Sequence, residues 1–108
     1  MKGNSVIILH GWGSSARSFD HIKEALVKEG FPVYVPDLPG FGGAAEPPPD
    51  WRLEDYVSFV MRFAEERKLD KFYLLGHSFG GQVAILFAAR FPERVKGLIL
   101  YGAAAVRG

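Results

Sequence analysis

Cysteine is absent from this sequence. That rules out disulfides and thiolate metal sites, and it fits a reducing compartment, so the expected location is the cytoplasm. Long hydrophobic runs are also missing. The longest, Val83 to Ala89, falls far short of the roughly 20 apolar residues that cross a bilayer, and Val6 to Leu9 is too short for a secretory leader. Neither a membrane nor a signal peptide is therefore expected. No charge dominates: 13 Lys and Arg face 12 Asp and Glu, without the basic stripe that nucleic-acid binding needs or the acidic tail that seeks a basic partner. His and carboxylate residues show no ligand spacing, so neither metal nor cofactor is implied. Histidine itself is scarce, with only His10, His21 and His77.

What is present is a foldable chain. The 108 residues are 48% hydrophobic and 14% aromatic, enough for one small domain over residues 1–108 and too much for disorder. Val6 to Leu9 is a short β-branched run that suits a strand buried on both faces. After "HGWGSSARS", Phe19, Ile22, Ala25 and Leu26 recur at helical spacing up to Gly30. Pro32 to Asp37 reads as a second strand. "GAAEPPPD" (43–50) reads as a stiff loop, partly polyproline. Leu53, Tyr56, Val57, Val60, Phe63 and Ala64 mark an amphipathic helix to about Lys68; Arg52 stands where a capping side chain would help, and Asp50 is the candidate cap. Lys71 to Leu75 is a third strand. Phe79 to Arg90 is a helix apolar almost all round, expected to be buried, and Val95 to Tyr101 is a fourth strand.

Strands alternating with helices predict an α/β protein: a short parallel sheet of roughly four strands with helices on both faces, in the order 2-1-3-4. Ligands of such sheets bind at the carboxyl ends of the strands beside the switch point. Both "HGWG" and "GHSFGG" sit at those ends.

Gly76-His77-Ser78-Phe79-Gly80 matches G-x-S-x-G between an apolar strand and an apolar helix. The chemistry explains the residue types. A strained turn lifts the serine hydroxyl above the sheet, glycines at 76 and 80 let strand and helix close up, and the helix N-terminus favours a developing oxyanion. The bland alternative is a glycine-rich turn with an ordinary serine cap.

Taken together, "HGWG", "VPDLPGFG", "GHSFGG" and "PERVKGLIL" resemble the N-terminal half of an α/β-hydrolase fold enzyme, of the serine esterase and C–C hydrolase type, up to the lid junction. The resemblance implies Ser78 as nucleophile, Trp12 and Phe79 as backbone oxyanion-hole donors, His10 and Gly11 as support for that loop, and a small-molecule ester or acyl substrate. It places the acid and the histidine of the triad on later segments, so neither is assigned to this chain. His77 should point to the face opposite Ser78; His21 should be exposed. His10 is the best local base candidate, although the resemblance gives it a structural role. The chain thus reads as half a sheet. A piece of a longer hydrolase is the favoured explanation; edge-strand pairing with a second copy or a separate C-terminal half, and a stand-alone relic, are the others.

Two rival functions follow from the residues. The missing base leaves room for an inert interaction module on a hydrolase half-fold. Gly11 to Ala16 formally fits a dinucleotide fingerprint, with Asp37 at the end of the next strand as the ribose-binding acid. In that case the helix should open at the second glycine, whereas the helical pattern begins near Phe19.

Overall fold

The computed structural model describes residues 4–11, 19–39 and 51–101. Trp12, the proposed Asp50 cap, most of the Gly11 to Ala16 loop and the "GAAEPPPD" segment lie outside the described residues. The elements are β1 (Val6–Leu9), α1 (Asp20–Lys28), β2 (Val33–Tyr34), α2 (Leu53–Glu66), β3 (Phe72–His77), α3 (Phe79–Arg90) and β4 (Val95–Tyr101), with one 3-10 turn at Pro92–Arg94 before β4.

All strand pairs are parallel and the order is β2-β1-β3-β4, the order expected from the sequence. β1 is central, and all four of its residues are buried. Alternation in the strand divides the core in two. Ile7 and Leu9, with Phe72 and Leu74 of β3, pack under α2 and α3 against Val57, Val60, Val83 and Phe87. Val6, Ile8 and Leu75 face the other way, with Phe19 and with Ile22 and Leu26 of α1. Helices therefore cover both faces, and none is long and apolar enough to cross a membrane among the described residues.

Local signals account for the ends of the helices. Gly30, at φ 95, stops α1, and Phe31 N–H reaches back to the Leu26 carbonyl; a left-handed residue at that position suits glycine. Lys68 does the same after α2 at φ 58, with Leu69 N–H on the Ala64 carbonyl. At the start of α2 the missing cap is supplied from within: Asp55 Oδ2 accepts the Arg52 N–H at 2.6 Å, and Glu54 and Asp55 place negative charge in the first turn.

Three expectations change. β2 is two residues long, because Pro36 has no N–H to give a ladder. Ala25 is exposed on α1. α3 is not wholly buried: its Gly80, Gly81, Val83, Ala84 and Phe87 face is, but Ile85 points outward and is 38% exposed. β4 lies at the sheet edge, with Leu98, Ile99 and Tyr101 39%, 50% and 53% exposed.

Candidate active site

The site is built where β1 and β3 end side by side. Leu9 pairs with Gly76 in register, so the residues that follow, His10-Gly11 and His77-Ser78, leave the sheet as neighbours. Ser78 joins β3 to α3 with φ 56 and ψ −119, outside the favourable regions for a residue with a side chain. Its carbonyl accepts from Gly81 N–H at 2.9 Å and Gln82 N–H at 3.2 Å, opening the α3 ladder. Its hydroxyl makes no capping bond. A capping serine has extended backbone and spends its oxygen on the helix; Ser78 does neither.

Three glycines make the turn possible. A Cβ on Gly80 would strike the backbone carbonyls of Leu9 and His10. One on Gly76 would lie 2.6 Å from the Gly80 oxygen and the Gly81 Cα. On Gly11 it would stand 2.5 Å from Ser78 Cβ and 3.2 Å from Ser78 Oγ. The Ser78 side chain therefore lies directly against Gly11, and α3 starts directly against the end of β1. Phe79, the next residue, is the first of α3, at the positive end of the helix dipole. Trp12 lies outside the described residues, so the structure brings together Ser78, Phe79, Gly11, Gly76, Gly80 and His10 of the residues singled out in the sequence.

His10 is completely buried. Its Nε2 accepts the Leu38 N–H at 2.8 Å, which in a neutral ring puts the proton on Nδ1. Burial holds its pKa below 6.5; a hydrogen bond at the Gly11 backbone and the charge of Asp37, whose Oδ1 is 3.7 Å from Nε2, pull the other way. The lone pair that a base would offer to Ser78 is thus already occupied by Leu38. His77 Nδ1 donates to the Tyr101 carbonyl at 2.7 Å. Its ring meets Phe19 at 6.1 Å and Tyr101 at 4.9 Å, so it lies on the α1 side of the sheet. His21 is exposed on α1. Among the described residues no group of His, Asp or Glu could hold a metal ion.

A contact the sequence did not suggest flanks the turn. Tyr56, in the first turn of α2, donates its hydroxyl to the Pro39 carbonyl at 3.1 Å. Its ring meets Phe79 edge-on at 5.0 Å and Trp51 at 5.1 Å. The helical periodicity marks Tyr56 only as a core residue; no local signal announces its partners.

A family model described as alpha/beta hydrolase fold matches residues 4–106. The chain is 36% identical over 100 residues to a protein of Mycoplasma pneumoniae named putative esterase/lipase 2, covering 92% of this chain and 37% of that one. It is 33% identical over 107 residues to the 2-hydroxy-6-oxo-2,4-heptadienoate hydrolase of Pseudomonas putida, covering 96% of this chain and 39% of that enzyme. Among solved structures, a marine microorganism esterase superposes with a TM-score of 0.85 at 33% identity, over 91% of this chain and 37% of that one. The chain spans between about a third and a half of the length of the curated relatives it matches. Sheet order, the Ser78 turn and these matches agree: the chain belongs to the alpha/beta hydrolase fold family.

Proposed function

We propose that Ser78 is the nucleophile of a serine hydrolase that cleaves carboxylic esters or related acyl bonds. The observation that carries this is the Ser78 turn itself: a backbone at φ 56 with no capping bond, at the N-terminus of α3 and against Gly11. Strain of that kind costs about 1–3 kcal/mol and persists where the surroundings enforce it for a purpose. Ser78 Oγ attacks the substrate carbonyl, the bond to the leaving group breaks, and water then releases the acyl group. The backbone N–H groups of Phe79 and Trp12 hold the oxyanion, with the positive end of α3 behind Phe79. Gly76 and Gly80 allow the turn, and His10 and Gly11 support the facing loop.

The proton of Ser78 goes to a histidine oriented by an acid, both outside residues 1–108. His10 is committed to Leu38, and His21 and His77 lie on or beside α1. The apolar edge of β4 is where the completing strands dock, from a C-terminal half or from a second copy. Without base and acid, a residual acceleration on the order of 10³ over water remains from the oxyanion hole, so the 108 residues alone turn over weakly. The substrate is a small molecule. Both the esterase relatives and the 2-hydroxy-6-oxo-2,4-heptadienoate hydrolase fit the same oxyanion chemistry. The cysteine-free composition fits a cytoplasmic enzyme.

A fluorophosphonate probe tests this directly. Labelling at Ser78, lost in Ser78→Ala, supports an activated serine. A second reading, an inert interaction module, is favoured by the engaged Nε2 of His10; absence of labelling even with the completing segments present would establish it.

A further inference from the structure

The bonds around the Ser78 turn form a connected bracket. His10, which precedes Gly11, accepts the Leu38 N–H. The next residue, Pro39, accepts the Tyr56 hydroxyl. The Tyr56 ring then stands edge-on to Phe79, the residue after Ser78, at 84°. Trp51 backs the same ring at 90°, so Tyr56 is clamped on two sides and buried to 9% exposure. One side chain thereby spans the gap between two backbone segments, the Gly11 side and the Phe79 side, that face each other across Ser78.

Building on the serine-hydrolase reading above, we propose that Tyr56 is a positioning residue, which sets the separation of the oxyanion-binding N–H of Phe79 from the Gly11 side of the crevice. Its two contacts divide the task. The hydroxyl fixes the Leu38-Pro39 segment, and through Leu38 the ring of His10. The ring holds Phe79 at the mouth of α3 through a T-shaped aromatic contact, which adds attraction beyond its buried area. Oxyanion donors act only when preorganised at hydrogen-bond distance from where the charge develops. Loss of one costs about 10²- to 10³-fold, and displacement by about an ångström about 10²-fold. Tyr56 acts through Phe79 and Pro39.

The test uses the protein expressed from its complete reading frame, with a nitrophenyl ester as substrate and a trifluoromethyl ketone as inhibitor. The ketone adds to the serine as a tetrahedral oxyanion and so reads the oxyanion donors directly. In Tyr56→Leu, which removes ring and hydroxyl, kcat falls roughly 30- to 100-fold while KM stays within about twofold. Tyr56→Phe, which keeps the ring, loses about three- to tenfold in kcat. In both, affinity for the ketone falls in step with kcat. Unchanged kcat in the folded variants, or a rise in KM alone, would overturn the proposal. Should Tyr56→Leu not fold, Tyr56→Phe decides it, since its kcat and ketone affinity must still fall together. Ser78→Ala separates this from the wider reading. Activity that survives Ser78→Ala removes Ser78 as the nucleophile, whereas activity lost there but intact in the Tyr56 variants removes only the role of Tyr56.

Discussion

The β1–β3 seam and strand β4 belong to the same sheet, yet they are finished to different degrees. At the seam β1 is buried throughout, and Gly80 lies so close to the Leu9 and His10 carbonyls that a methyl group does not fit. On β4, Ile99 and Tyr101 are 50% and 53% exposed, and the run "GLILY" that follows Lys96 carries no proline or charge to discourage pairing. The Ser78 turn is therefore closely enclosed, whereas the far edge exposes an apolar surface. A turn that depends on close backbone approach has to be built from tightly packed neighbours.

Substitutions can break that contrast. The largest effect should come from Gly80→Ala. The new methyl meets backbone rather than a flexible side chain, so β1 and α3 must separate, at a cost of about 3 kcal/mol or more. The urea midpoint should drop steeply, and Ser78 labelling with it. Ser78→Gly should act in the opposite direction, stabilising the fold by about 1–2 kcal/mol by removing the strained φ while deleting the hydroxyl proposed as nucleophile. Thermal denaturation of the two chains side by side reads this; a destabilised Ser78→Gly would show the turn to be unstrained.

His10 sharpens the comparison through pH. Its pKa is lowered in the fold relative to 6.5, chiefly by burial, so the unfolded chain takes up its proton first. Stability conferred by keeping the ring neutral is fully present above about pH 6.5 and is lost as pH falls through the lower folded value. Urea midpoints between pH 7.5 and 5.5 should decline in the parent chain and run flatter in His10→Asn. A parent chain equally stable at both ends of that range would mean that His10 titrates normally. The smallest effect belongs to the edge. Ile99→Thr should change stability by no more than about 0.5 kcal/mol and reduce self-association measured by sedimentation. A large loss would mean that β4 is already covered in solution.

How much of this the sequence disclosed depended on whether the signal was local. Strand order follows from the alternation of apolar runs and helices, and the Ser78 turn from five consecutive residues. The length of β2 was misjudged because "PVYVPD" looks apolar and extended, while pairing to β1 stops after Val6 with Val33 and Ile7 with Tyr34. β3, by contrast, runs on to His77, since Gly76 and His77 find partners in Leu100 and Tyr101. The Arg52 position looked uncapped because the acceptor is the Asp55 carboxylate, three residues into the helix. The bracket through Leu38, Pro39 and Tyr56 joins residues 28 and 17 positions apart. Side chains brought together only by tertiary structure leave no spacing pattern to read.

The central place of β1 has a consequence in time. Among the described elements its β3 partner follows only after α1, β2 and α2 have been made. Parallel pairings over such separations form slowly, because the intervening chain must be ordered before the contact is rewarded. Until then "VIIL" is an unpaired apolar strand. Ser78 cannot reach its strained geometry earlier, since Gly80 meets the end of β1 only when β1 docks. On the serine-hydrolase proposal, probe reactivity at Ser78 should therefore appear during refolding only once β1 has docked on β3, and so report that step.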